Sequence, residues 1–384
     1  MSKNLFLEKN FIYEKYNNKK IFFFLKNFFL CFLSLINILK LVIKKKITHA
    51  NYFIIKSNNN FIDNRSVYYL SKKKLNNRIN FVKSEDFKTS IKVFFYYPNI
   101  IFIYSIKYII DFFLNFQIKK KNIRIYNNYF FFLVTKLVIK VLGIRKFFLI
   151  DDYRIMPFIL SSCNELKIIS VGYMHGKLSK YNLSHQYFNF NKFYVWSEFF
   201  KKKILSINKN YSKEDIIVDP KIKYTTKFLK KIRVKRDYKK INLLLLHDND
   251  VKIYELIQIL KELVKIKNIN FFLKLRPNES YNSDIFDFCL VNKIRYFQKK
   301  NIYSLIFSKK INFLISSSST MLLESSLMNI YPVLFSKKEN FFAKELISER
   351  IVFPIYSLKN LYFKLLEIKK NKKKLDYIYN KVWA

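Results

Sequence analysis

Glycine is almost missing from this chain: there are three in 384 residues, and two of them fall within VGYMHGKL, residues 171–178. Alanine, proline and tryptophan are also scarce, while Asn, Ile, Phe, Tyr and Lys abound, the balance that an AT-rich coding sequence produces. A glycine kept against such a drift needs a local reason. Cysteine is equally sparse. Cys31, Cys163 and Cys289 stand far apart with no paired spacing, which indicates neither a disulfide framework nor a zinc site and fits a reducing cytoplasm. Acidic residues number 27 against 72 basic ones, for a net charge of +45. Such a charge ordinarily points to nucleic acid. Here all but ten of the basic residues are lysine, so compositional drift supplies much of it. With no zinc-finger spacing, RNP-like strand or arginine-rich stripe, no nucleic-acid partner is expected. Attraction to phosphate-bearing substrates and anionic lipid remains.

What is present is apolar: 51% of the residues are hydrophobic, enough for a large core, and the length suits two domains. The stretch IFFFLKNFFLCFLSLINILKLVIKKK, 21–46, leaves only Asn27 to Leu39 uncharged between Lys26 and Lys40, short of the roughly 18 residues a membrane span needs. Lys26, Asn27, Ser34, Asn37, Lys40 and Lys44 share one narrow helical face. That pattern suits a helix lying on an anionic membrane surface, and a core helix of the first domain is the equal alternative. No small-residue cleavage site follows, so a secretory signal is not expected.

From about residue 52, short β-rich runs alternate with longer helical ones, the mark of a parallel α/β architecture. YFIIK (52–56), VFFYY (93–97), KFFLIDD (146–152), KIISVGY (167–173), KFYVW (192–196) and DIIVDP (215–220) read as strands. Helices are expected over 99–116, 128–142, 154–165 and 197–207. A dense charge run precedes residue 241. The alternation then restarts with INLLLLHD (241–248), a helix over 250–266, INFFLKLRP (269–277), a helix over 283–292, IRYF (294–297), a helical turn over 301–308, INFLIS (311–316), a helix over 318–329 and YPVLFS (331–336). The expected organisation is an amphipathic segment over 1–50, a first α/β/α domain over 51–222, a connection over 223–240 and a second α/β/α domain over 241–384. The two domains would face each other across a cleft.

Ligands of open parallel sheets sit beyond the carboxyl ends of the strands, so the residues closing each strand are the candidates. In the first domain these include Asp151, Asp152 and the segment Tyr173 to Gly176. Gly172 and Gly176 leave room for a close approach by backbone or substrate, and His175 between them could take a proton from a hydroxyl nucleophile. Asp152 could orient that histidine or serve as the base itself. In the second domain, Ser316, Ser317, Ser318, Ser319 and Thr320 run from a strand into a helix, where hydroxyls and open backbone N–H groups favour phosphate. Capping of the helix by one of the hydroxyls is the structural alternative. Glu324 lies one turn further on, within reach of a ribose. Arg276, followed by Pro277, exits its strand extended and suits a diphosphate through its planar fork. In LHDND, 246–250, Asn249 or Asp250 is expected to cap the next helix rather than hold a metal.

These segments together resemble the bacterial GT-B glycosyltransferases of capsule and surface-carbohydrate synthesis, and more distantly bacterial sialyltransferases and CDP-glycerol glycerophosphotransferases. LIDDYRIMPFI, ISVGYMHG, FYVWSEFFKKKIL, LLLLHDNDVKIYELIQIL, FFLKLRPNE and LISSSSTMLLESSLMNIYPVLF carry the likeness, across roughly 147–335. The family's pattern differs at Met174, where glutamine is common, at Arg276, where histidine is usual, and at VDPKI, where a glycine is common before the proline. The resemblance implies two Rossmann-like domains. The C-terminal one would bind a nucleotide-sugar through Arg276, the hydroxyl cluster and Glu324. The N-terminal one would present a glycan or lipid-linked acceptor near Asp152, His175, Gly172, Tyr173 and Gly176. Catalysis would need no cofactor and no obligatory metal, in a cytoplasmic protein peripheral to the inner face of the membrane. The alternatives are a CDP-polyol phosphotransferase of the same fold and an inactive membrane-peripheral scaffold.

Overall fold

In the computed structural model the described residues are 52–56, 79–83, 136, 139, 145–150, 156–174, 176–219, 240–248, 250–277, 279–335 and 341–384. The amphipathic segment 1–50, VFFYY, the helix expected over 99–116, most of that over 128–142, Asp151, Asp152, His175 and residues 223–239 of the expected connection lie outside them. The chain divides into two compact units, Met1–Trp196 with Lys201–Lys223, and Ser197–Phe200 with Tyr224–Ala384.

The first unit holds β1 (Tyr52–Lys56), β2 (Ile79–Lys83), β3 (Lys146–Ile150), β4 (Ile169–Tyr173), β5 (Lys192–Val195) and β6 (Ile216–Val218). They form one parallel sheet in the order β2-β1-β3-β4-β5-β6. Helix α1 (Met156–Glu165) connects β3 to β4, α2 (Leu183–Tyr187) lies between β4 and β5, and α3 (Glu198–Ile207) follows β5. Val171, Phe193, Val195 and Trp196 are buried, together with Ile159, Leu160 and Cys163 of α1. These side chains form the core beside the sheet.

The second unit holds β7 (Ile241–Leu246), α4 (Ile253–Leu263), β8 (Ile269–Lys274), α5 (Ser283–Val291), β9 (Arg295–Phe297), α6 (Ile302–Ser308) and β10 (Phe313–Ser316). It continues through α7 (Met321–Ser325), β11 (Tyr331–Phe335), α8 (Phe341–Ser348), β12 (Phe353–Ile355), α9 (Leu361–Lys370) and α10 (Lys372–Trp383). Its parallel sheet has the order β12-β11-β10-β7-β8-β9. Every residue of β7, β10 and β11 is buried, as expected for strands covered on both faces, whose sequences read as continuous apolar runs. The chain winds outward from β7 in one direction through β8 and β9, and in the other from β10 through β11 and β12. The switch point where doubly wound sheets bind ligands therefore lies between the carboxyl ends of β7 and β10.

Scarce glycine has a visible consequence at the helix ends. A chain leaving a helix for a strand commonly passes through a left-handed residue, usually glycine. Here that residue is Lys167 (φ 54°), Lys293 (φ 53°), Lys310 (φ 50°), Asn329 (φ 55°) or Arg350 (φ 57°). Each is followed by isoleucine, and the N–H groups of Ile168, Ile294, Ile311, Ile330 and Ile351 donate back to carbonyls five residues earlier at 2.8, 2.8, 3.1, 2.9 and 3.2 Å. Ile311, Ile330 and Ile351 are buried almost completely, and this anchoring offsets the steric cost of the left-handed backbone.

Among the described residues, two strands escape the sequence reading. β2 is a five-residue run flanked by polar sequence, and β12 is a three-residue strand containing Pro354. Proline is tolerated there because β12 is an edge strand. Helices α8, α9 and α10 complete the unit, and the indole of Trp383 donates to the Leu323 carbonyl at 3.0 Å. Among the described residues, no helix is long and apolar enough to cross a membrane.

Candidate functional site

At the switch point of the second sheet, the turn after β7 and the loop after β10 meet. Asp248 is buried, and its Oδ2 accepts from the Ser316 hydroxyl at 2.6 Å and from the backbone N–H groups of Ser317 and Ser318 at 2.7 and 3.1 Å. The Ser317 hydroxyl is within reach of both Asp248 Oδ2 (3.0 Å) and Asp250 Oδ1 (2.8 Å), and the Ser318 hydroxyl donates to the same Asp250 oxygen at 2.8 Å. Burial pushes the Asp248 carboxyl above its ordinary range, opposed by the hydrogen bonds from Ser316, Ser318 and Ser317 and reinforced by the neighbouring Asp250.

Two sequence expectations change here. The N–H groups of Ser317 and Ser318 are not open to a ligand, because Asp248 takes them. Asp250 does not cap the following helix; α4 begins at Ile253, and the Glu255 carboxylate accepts the backbone N–H of Lys252 at 3.0 Å. Asp250 instead closes the serine loop, across 67 and 68 residues of sequence.

Arg276 stands just past β8. Its Nη1 donates to Glu279 Oε2 at 2.7 Å, and 40% of its side chain stays exposed. Its backbone N–H donates to the Tyr281 hydroxyl at 2.9 Å. That hydroxyl lies 2.7 Å from Nδ1 of His247, whose Nε2 lies 2.8 Å from the Val251 carbonyl. A carbonyl only accepts, so Nε2 carries a proton, and in the neutral ring Nδ1 accepts from Tyr281. His247 thus ties the turn after β7 to the Arg276 turn, a role the sequence reading missed although the residue stands in LHDND. Burial raises the Tyr281 hydroxyl above its ordinary range. Beneath this turn Lys274 is buried, its Nζ donating to the carbonyls of Leu275 and Gln298 at 2.6 Å each, and burial lowers it to about 8. The Gln298 amide returns bonds to the carbonyls of Glu279 (2.8 Å) and Arg276 (3.3 Å).

Glu324, expected beside a ribose, is buried in α7 and accepts the Tyr303 hydroxyl at 2.5 Å. Ser319 and Thr320 are half-buried at the start of the same helix. Among the described residues, no three His, Cys, Asp or Glu side chains are grouped so as to hold a metal ion.

In the first unit, Gly172 lies inside β4, paired with Leu149 and Phe193. A Cβ there would stand 2.3 to 2.6 Å from ring atoms of Phe190, so the close approach that demands glycine is made by this ring. Tyr173, the last residue of β4, is buried and stacked on Tyr194 with ring centroids 5.2 Å apart. Its hydroxyl is pushed upward, first by burial and then by Tyr194. Met174 is also buried; its N–H donates to the Tyr194 carbonyl at 2.9 Å, and its carbonyl accepts the Trp196 indole at 3.0 Å. Gly176 follows in a half-buried bend. Cys163 and Cys289 are buried and form no disulfide, and burial raises their thiols to about 12 and about 11.

No protein-family model matches the sequence, and no curated protein does. Solved structures do match. S. aureus MnaA, in a co-structure with UDP, aligns at 11% identity over 87% of this chain and 91% of its own, with a TM-score of 0.51. UDP-GlcNAc 2-epimerase from Neisseria meningitidis, bound to UDP-GlcNAc, aligns at 12% identity over 86% and 94%, with a TM-score of 0.48. A glycosyltransferase from Rickettsia africae ESF-5 aligns at 13% identity over 87% and 93%, with a TM-score of 0.43. At these identities the likeness speaks for the fold: two Rossmann-like parallel α/β units of GT-B type.

Proposed function

We propose that the chain is a glycosyltransferase that moves a sugar from a nucleotide-sugar donor to a hydroxyl of a surface polysaccharide or lipid-linked glycan. The observation that carries this reading is the concentration of polar groups at the switch point of the second sheet, where the serine loop meets Asp248 and Asp250, and His247 and Tyr281 hold the turn bearing Arg276. The UDP in the MnaA co-structure supports a nucleotide partner. In this reading the second unit binds the donor. Arg276 neutralises the departing phosphate, residues 316–320 contact the donor, and Glu324 sits behind them. The first unit receives the acceptor near Gly172, Tyr173 and Gly176, and Asp152 and His175 carry the acceptor proton, roles that rest on sequence resemblance. Positioning, deprotonation and charge neutralisation suffice for such a transfer without an obligatory metal or a cofactor. The protein would work in the cytoplasm, peripheral to the inner membrane face through residues 20–46.

The test is thermal stabilisation of the purified chain by UDP-, GDP-, CDP- and CMP-linked sugars, repeated with Arg276→Ala and Ser318→Ala. One nucleotide class should raise the melting temperature with concentration, and each variant should weaken the effect. Mass analysis of a reaction with glycan acceptor should then show one added sugar. An added polyol phosphate, or a donor sugar converted without any acceptor, would overturn the reading.

A further inference from the structure

The hydrogen bonds already made within the serine loop decide which part of a nucleotide-linked donor can meet it. A strand-to-helix loop attracts phosphate through backbone N–H groups that lack partners. In this loop the N–H groups of Ser317, Ser318, Ser319 and Met321 are engaged. Ser317 and Ser318 give theirs to Asp248 Oδ2 at 2.7 and 3.1 Å, Ser319 to Ser316 Oγ at 2.8 Å and Met321 to Ser319 Oγ at 3.2 Å. Leu322 and Leu323 donate to the carbonyls of Ser319 and Thr320 at 3.1 and 3.0 Å. The helix beyond the loop has five residues and adds little macrodipole. A ligand phosphate would have to displace the buried Asp248 carboxylate and then face Asp250, whose Oδ1 holds the hydroxyls of Ser317 and Ser318.

We propose that Asp248 determines specificity in the donor site: it is a built-in anion that occupies the N–H groups of Ser317 and Ser318, shapes the serine loop and keeps phosphate away from them. The loop then meets the uncharged, hydroxyl-bearing part of the donor, ribose or sugar, through serine and threonine hydroxyls and the Asp250 carboxylate. The phosphate charge falls to the exposed part of the Arg276 guanidinium. The identity of the ligand rests on the nucleotide-sugar reading; the exclusion of phosphate rests on the geometry of Asp248 alone.

The experiment is calorimetric titration of the full chain with sodium orthophosphate, for wild type, Asp248→Ala and Asp248→Asn, with melting temperature and circular dichroism as checks of folding. Asp248→Ala should bind orthophosphate about tenfold more tightly than wild type, the scale of one hydrogen bond to a charged group. The gain should survive the addition of Arg276→Ala. Asp248→Asn should gain severalfold, because its amide oxygen still accepts but carries no charge. A folded Asp248→Ala with unchanged or weaker orthophosphate binding overturns the proposal, as does a gain that disappears with Arg276→Ala. Should Asp248→Ala not fold, the asparagine variant decides: a gain supports the proposal and no gain overturns it. The nucleotide-sugar reading fails separately, if wild type binds none of the nucleotide-linked donors, whatever orthophosphate does.

Discussion

The two ends of the second sheet show how the same three strands can be closed in different ways. At the amino ends of β7, β8 and β10, the polar layer is made of amides. Asn242 donates its backbone N–H to Asn312 Oδ1 at 2.9 Å and its side-chain amide to the Lys310 carbonyl at 3.0 Å; Asn312 donates to the Lys240 carbonyl at 2.6 Å, and Asn270 to Asn242 Oδ1 at 2.7 Å. At the carboxyl ends, the layer is made of ionisable groups: Asp248, Asp250, His247, Lys274, Arg276, Glu279 and Tyr281. Both layers satisfy buried backbone groups, which the fold requires wherever it lies. Amides do so without bearing charge, so the amino end is held in one state. The carboxyl end keeps charged groups under partial burial, which shifts Asp248 up and Lys274 down. Charge held against its preference is costly to the fold and useful to a ligand site.

Breaking the amide end should have the largest effect. Asn312→Leu removes the acceptor for the Asn242 N–H in a completely buried position and should cost about 3 kcal/mol of stability. Urea denaturation measures the loss, while donor binding by the folded fraction should persist. Next comes the packing constraint at the carboxyl end of the first sheet. Gly172→Ala drives a methyl group into the Phe190 ring and should cost about 2 kcal/mol; combining it with Phe190→Leu should recover part of the loss, and failure of that rescue would assign the glycine another role.

The charged end can be sharpened by pH. Lys274 releases its proton at about 8 in the folded chain, against 10.5 for an unperturbed lysine. Between those values the unfolded chain binds more protons, so this group's contribution to stability rises with pH across the window and is complete above it. Solvent screening at the part-buried ammonium should bring the rise to about 2 kcal/mol, below the roughly 3 kcal/mol that the whole shift carries. The difference in stability between wild type and Lys274→Met, followed from pH 8 to 10.5, should show it; a flat difference would remove burial as the cause. The smallest effect belongs to a helix end beside the amide layer. Lys310→Gly relieves a left-handed backbone at φ 50° and should stabilise the chain by about 0.5–1 kcal/mol, measured as a raised melting temperature.

Much of the second unit was legible because its strands are continuous apolar runs ended by polar residues: INLLLL, INFFLK and INFLIS announce β7, β8 and β10, and the polar residues closing each run announce a ligand edge. β12 was not legible, because three residues containing a proline carry no strand signal until β11 lies beside them. The left-handed helix ends were hidden for a related reason, since the usual marker is glycine and Lys167, Lys293, Lys310 and Arg350 are read as ordinary surface charge. Gly172 was recognisable as a position under constraint, but the Phe190 ring that imposes the constraint is distant in sequence and belongs to no motif.

Local physics accounts for the alternation of strands and helices, the place of the polar residues at strand ends, and the two α/β units, because apolar period, turn chemistry and strand length are properties of short segments. The use of those polar residues is a long-range matter. Asp248 and the serine loop are about 70 residues apart, and only the order of strands in the sheet, with β10 beside β7, sets one against the other. A hydrogen bond depends on position in space and excludes its competitors, so the serines that read as an open phosphate site in sequence are, in the folded chain, already engaged by a carboxylate of their own.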